Sequence, residues 1–168
     1  VCIEDKLFPK TNSFISGETQ PLADPDEFCG KIKAGKDAER DSDFCIVARV
    51  EAVIAGWGLG EALRRANAYA DAGADVLYSP GVKEREEIKT MVAELRPRPV
   101  NILISNNIGM KVSDLAELGV RRISVGSSLA RAAWTGFMRA AQMIAKEGSF
   151  SGFDGLIPFA EINGLFRP

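Results

Sequence analysis

Five short runs rich in apolar and β-branched residues punctuate the chain, at residues 1–3, 44–50, 74–80, 100–105 and 122–128. They read as apolar on both faces instead of alternating, which is the pattern of buried parallel strands. Helical signatures fill the intervals. Asp24-Pro25-Asp26-Glu27 opens one, with acids in the first turn and proline at an early position. Ala62, Leu63, Ala66 and Ala70 repeat at helical spacing over residues 61–72, and Gly73 stops the pattern. Further helices are predicted over 113–118, ended by Gly119, and over the alanine-rich stretch 129–146, ended by Gly148. "ADAGADVLY" and "AELGVRRISV" repeat one grammar of helix, glycine and strand, so the chain is a run of βα units. From the second strand on, starts recur every ~20–30 residues, as in a (β/α) barrel, which needs about eight strands. A doubly wound open sheet is the alternative.

Two segments fall outside this rhythm. Residues 6–21 have no period, and a loop this long without secondary structure reads as a lid over a site. The tail from Gly155 to Phe166 is strongly apolar, with Pro158 placed to start a helix. Left exposed it invites aggregation, so it is expected to pack on the body or on another subunit.

With 168 residues, 46% of them hydrophobic, the chain suits one globular domain, taken as 1–168. A net charge of −2 with both signs interspersed argues against a nucleic-acid partner. No stretch approaches the ~20 apolar residues of a membrane span. The absence of histidine excludes Ser-His-Asp and Cys-His catalysis and HExxH zinc sites. Cys2, Cys29 and Cys45 are far apart and read as reduced core thiols of a cytoplasmic protein.

In parallel α/β folds ligands meet the C-terminal ends of the strands. Those ends carry Glu4-Asp5-Lys6, Arg49-Val50-Glu51, Tyr78-Ser79, Ser105-Asn106-Asn107 and Gly126-Ser127-Ser128. Carboxylates suit Mg²⁺, and arginine suits a carboxylate or phosphate. The rim therefore describes a site for a small anion with a hard metal. Each residue has a plainer reading. Glu4 and Asp5 are equally well solvated loop acids, and Arg49, inside an apolar strand, is either a substrate ligand or one side of an ion pair with Glu4 or Glu51. Ser79, Asn106 and Asn107 suit turns and caps. "GWGLG", 56–60, lacks the full phosphate-loop pattern and suits a turn before a helix, and Gly126-Ser127-Ser128 suits an N-cap.

"CIEDKLFPKTNSF", "QPLADPDEFCGKIKAGKDA" and "DFCIVARVEAVIAGWGLGEALRRA" together resemble the phosphoenolpyruvate mutase and phosphonopyruvate hydrolase branch of the isocitrate lyase/phosphoenolpyruvate mutase superfamily. "AGADVLYSPGV", "ELGVRRISVGSSLARAAW" and "IPFAEINGLF" resemble the wider superfamily, including its lyase-like and oxaloacetate-decarboxylase-like members. The resemblance implies a (β/α)₈ TIM-type barrel of which this chain covers roughly strands 4 to 8, strands 1 to 3 being absent, plus a C-terminal helix swapped between neighbours in a homo-oligomer, a dimer or tetramer. It implies Mg²⁺-dependent, enolate-type chemistry on a small anionic 2-oxo acid. Carried over by motif, Glu4 stands near the metal and its waters. Lys10, Thr11, Asn12 and Ser13 form the gating loop, with Asn12 beside the transferring phosphoryl group. Arg49 binds substrate from the fifth barrel strand, and Ser79 lies near where the mutase carries a histidine in a motif like "LMHS". The C–C lyases carry a cysteine motif of the KKCGH or KRCGH kind in this loop; here it reads Pro9-Lys10-Thr11-Asn12-Ser13. Three readings follow: a phosphonopyruvate or phosphoenolpyruvate mutase or hydrolase, a decarboxylase or lyase on an oxaloacetate-like acid, and a non-catalytic half-barrel that serves assembly.

Overall fold

The computed structural model describes residues 1–10 and 21–166. Five parallel strands, β1 (Cys2–Glu4), β2 (Val47–Arg49), β3 (Val76–Tyr78), β4 (Val100–Leu103) and β5 (Arg122–Ser124), pair in the order β1-β2-β3-β4-β5. Sequential order is the barrel arrangement; a doubly wound sheet reverses its strand order partway. The chain is an α/β protein of barrel type, and of the two sequence-level alternatives the open doubly wound sheet is set aside.

The Cα trace groups into two compact units, Val1–Gly126 and Ser127–Pro168. The first holds the sheet with α1 (Pro25–Asp37), α2 (Gly58–Asp71), α3 (Arg85–Glu94) and α4 (Val112–Glu117). α1 begins where the sequence places it. The Asp24 carboxylate accepts the Asp26 and Glu27 amides at 2.9 and 3.2 Å, occupying donors that a helix start leaves open. α2 starts three residues before the expected Glu61, because Gly56 and Gly58 take φ of 80° and 79° and turn the chain into the helix directly. α3 went unpredicted, although Ile88, Met91, Val92 and Leu95 carry the i, i+3, i+4, i+7 spacing and all four are buried.

The strands are not apolar on both faces. One row, Ile3–Ala48–Leu77–Val100, is apolar, and Ala48, Leu77 and Val100 join Phe28, Ile32, Tyr69 and Ile102 in the core. The next row along the strands is polar. The thiols differ from expectation too: Cys2 and Cys45 are exposed and Cys29 half-buried, all free. Short strands explain this, since a run counted as strand from residue 44 pairs only from Val47.

The second unit carries α5 (Ser128–Glu147), a 3-10 turn at Ser151–Phe153 and α6 (Phe159–Gly164). Ser127 stands at the N-cap of α5 but makes no side-chain capping bond, contrary to the sequence reading. Gly152 passes so close to α5 that a Cβ would lie 2.8 Å from the Ala140 Cα, so only glycine fits there. No side chain of these three elements is buried. None of the described helices is long and apolar enough to cross a membrane.

Candidate functional site

The C-terminal ends of β1 and β2 meet over a buried carboxylate. Asp5 is fully buried. Its Oδ1 accepts the Glu51 amide at 2.8 Å; its Oδ2 accepts the Tyr69 hydroxyl at 2.8 Å and Arg65 Nη1 at 3.0 Å. Arg65 also donates to the Ala23 carbonyl at 2.9 Å and, through Nε, to Glu61 at 2.8 Å, while the Trp57 ring covers its guanidinium at 5.2 Å. Burial opposes the Arg65 charge, but Glu61, Tyr69 and Asp5 outweigh it and hold the guanidinium above its ordinary pKa. Burial, with the Asp5 charge beside it, pushes the Tyr69 phenol far up, so it stays a donor. Of the two readings open for Asp5, loop acid or site acid, neither holds: it is the buried tie of the strand ends.

Glu4 and Arg49, register partners on β1 and β2, stand on top of this tie. Arg49 Nε lies 2.5 Å from Glu51 Oε1 and 3.2 Å from Glu4 Oε2. Glu4 also pairs with Lys10. Glu51 is fully buried, and its Oε2 lies 3.2 Å from Lys6 Nζ without the geometry of a hydrogen bond. Both ion pairs named as alternatives for Arg49 therefore exist. Burial works against the Arg49 charge, and Glu51, Tyr78 and Glu4 outweigh it and raise its pKa. Among the described residues, three cations, Lys6, Lys10 and Arg49, face two carboxylates, Glu4 and Glu51. The cluster opens on a cleft of about 1210 Å³ lined by Glu4, Lys6, Lys10 and Arg49, with Phe8 and Phe28 among its apolar walls. The cleft runs along β1, with Lys31, Glu39, Arg40 and Asp41 also in its lining, and its end near Glu4, Lys6, Lys10 and Arg49 gathers the charges a small anion would meet.

The segment after β1 leaves and returns at this cluster. Lys6 bridges Leu22, and the Ala23 amide donates to the Asp5 carbonyl at 2.9 Å. The loop predicted as a lid is thus rooted at the site. Thr11, Asn12 and Ser13 lie outside the described residues; Lys10 reaches Glu4. Ser79 is fully buried and its hydroxyl donates to the Val50 carbonyl at 3.2 Å. Asn107 accepts the Gly109 amide at 2.9 Å, the turn role expected of it.

Among the described residues no group of three or more His, Cys, Asp or Glu side chains converges as a metal cage. Glu4 and Glu51 each already face two cations. Glu4 offers one hard oxygen to a divalent ion, but the described residues do not make a Mg²⁺ site by themselves. Sequence reading missed Arg65 and Tyr69. Their signal was a charge inside the apolar stripe Ala62, Ala66, Tyr69 of α2, where a guanidinium needs a buried partner.

A family model described as phosphoenolpyruvate phosphomutase matches residues 1–145. The chain is 40% identical over 169 residues to the phosphoenolpyruvate phosphomutase of Tetrahymena pyriformis, covering 99% of this chain and 56% of the relative. It matches the phosphoenolpyruvate phosphomutase structure from Streptomyces platensis subsp. rosaceus with a TM-score of 0.84 and 38% identity, over 98% of this chain and 58% of that one. It matches a phosphonopyruvate hydrolase in complex with oxalate and Mg++ at 0.77 and 34%, over 98% and 57%. The chain spans about half the length of the curated relatives it matches.

The Glu61 pairing with Arg64 and Arg65 carries a pH signature. Arg64 and Arg65 hold the Glu61 carboxyl down at about 2. A depressed carboxyl contributes stability in full above its unfolded pKa and loses it as pH falls toward the folded value. Urea unfolding between pH 5 and 2 should therefore show a shallower loss of stability in Glu61→Gln than in the unaltered chain. Parallel curves would contradict the assigned pairing.

Proposed function

The chain belongs to the phosphoenolpyruvate phosphomutase family, and on that premise we propose that it acts on phosphonopyruvate or phosphoenolpyruvate as a Mg²⁺-dependent mutase or hydrolase. The observation that supports this most is the cation-rich cluster of Lys6, Lys10 and Arg49 at the strand ends, in a cleft beside the Lys6–Leu22 bridge where the loop begins and ends. Arg49 binds the substrate carboxylate, and its Glu51 and Glu4 partners hold it in orientation. Lys10 approaches the phosphoryl oxygens from the loop. Asn12, with Thr11 and Ser13, lines the phosphoryl group, and Ser79 takes part in substrate recognition. In the mutase direction the C–P bond of phosphonopyruvate breaks and the enolate oxygen takes the phosphorus; in hydrolysis a water oxygen takes it and pyruvate leaves. Such transfer depends mainly on positioning and charge.

Glu4 contributes one oxygen, directly or through water, to a Mg²⁺ site whose other ligands are not among the described residues. The metal's part in this chemistry is neutralising charge at the enolate oxygen. Three free cysteines, two of them exposed, support a reducing, cytoplasmic setting. Homo-oligomerisation through the C-terminal helix is supported by exposed Leu156, Ile157, Phe159, Leu165 and Phe166. Sedimentation should show a dimer or tetramer, and serine at both Phe159 and Phe166 should shift it toward monomer; a monomer from the outset would overturn this part.

³¹P NMR of the chain with Mg²⁺ and phosphonopyruvate tests the reaction. A phosphoenolpyruvate resonance identifies a mutase and inorganic phosphate alone a hydrolase; an unchanged spectrum contradicts both. Arg49→Lys keeps the charge but loses the forked geometry, and should lower kcat/KM by roughly 10-fold or more with the fold retained. Unchanged kinetics would remove Arg49 from the site.

A further inference from the structure

The polar row of the sheet has one residue on every strand. Glu4 pairs with Arg49, Arg49 with Tyr78, Tyr78 with Asn101, and Asn101 with Arg122. Register partners on parallel strands stand on one face of the sheet. Their side chains form a connected line. The Arg49 guanidinium lies 5.3 Å from the centre of the Tyr78 ring. Asn101, the register partner of Tyr78, accepts Arg122 Nη1 at 2.8 Å and donates to the Ser124 hydroxyl at 3.0 Å. Tyr78 is 5% exposed and Asn101 fully buried. An apolar row would bury at less cost. What this row adds is orientation: Glu4 and Glu51 hold the edge of the guanidinium, and the Tyr78 ring lies against its face.

We propose that Tyr78 is a positioning residue for Arg49: its buried ring, 5.3 Å from the Arg49 guanidinium, supports the guanidinium plane. Arg49 then meets the carboxylate of a 2-oxo acid in one orientation. The inference rests on the substrate-binding role given to Arg49 above, but not on which reaction follows binding.

The test is calorimetric titration of the full chain with oxalate in the presence of Mg²⁺, oxalate being the ligand of the phosphonopyruvate hydrolase structure. Tyr78→Leu removes the ring and should weaken oxalate binding roughly 2- to 30-fold, the range of a cation–π contact. Tyr78→Phe keeps the ring and should stay within about 3-fold of the unaltered chain. Val47→Ala, a buried truncation on the same strand as Arg49, should lower the urea midpoint without changing oxalate affinity. If oxalate binds the unaltered chain and Tyr78→Leu changes nothing, the inference falls while the anion site stands. If Val47→Ala weakens binding as much as Tyr78→Leu, the effect is loss of stability and the inference falls. No binding by the unaltered chain removes the anion site, and this inference with it.

Discussion

Everything at the strand ends depends on one buried carboxylate. Asp5 is fully buried, and an unpaired charge there would be prohibitive. Three donors from three places in the sequence meet it: the Glu51 amide after β2, and the Arg65 guanidinium and Tyr69 hydroxyl from α2. Arg65 reaches further, to the Ala23 carbonyl before α1. The Asp5–Arg65 pair thus joins β1, the segment after β2, the segment before α1 and the middle of α2. Breaking such a pair from one side costs about 3–5 kcal/mol, because the remaining charge is stranded.

The candidate site residues sit beside this tie on both strands. Glu4 precedes Asp5, and Glu51, whose amide Asp5 holds, follows Arg49 by two. The tie that stabilises the fold therefore also sets where Glu4, Arg49 and Glu51 stand, while the Lys6–Leu22 bridge roots the loop carrying Lys10 at the same place. Around Arg49 the carboxylates serve as much to orient as to neutralise. Among the described residues, Lys6, Lys10 and Arg49 face the two acids Glu4 and Glu51 at the end of the cleft.

Much of this was readable before any coordinates. Runs of Val, Ile and Leu separated by glycine-stopped helices gave a parallel sheet, and listing the strand ends gave Glu4 and Arg49. What was not readable depended on long-range pairing. Asp5 and Glu4 are adjacent acids in sequence, and nothing local says that one points into α2 and the other toward Arg49. Arg65 was hidden for the same reason, since its partner lies 60 residues away. The polar row Arg49–Tyr78–Asn101–Arg122 was missed because each strand alone reads as apolar; register turns isolated polar residues into a line. The weak amphipathic signal of α3 was present in Ile88, Met91, Val92 and Leu95, beneath a dense run of charges. The resemblance supplied roles for Lys10, Asn12 and Ser13 that composition and spacing leave undetermined.

The most direct measurement of the central claim is a double-mutant cycle between Asp5→Asn and Arg65→Gln, read by urea unfolding. If the buried pair ties the strand ends to α2, each single change removes a shared interaction. The two effects should then fall short of additivity by about 1–3 kcal/mol. Additivity within about 0.3 kcal/mol would mean that the two groups act independently. In that case the account of how Glu4, Arg49 and Glu51 are held would be wrong.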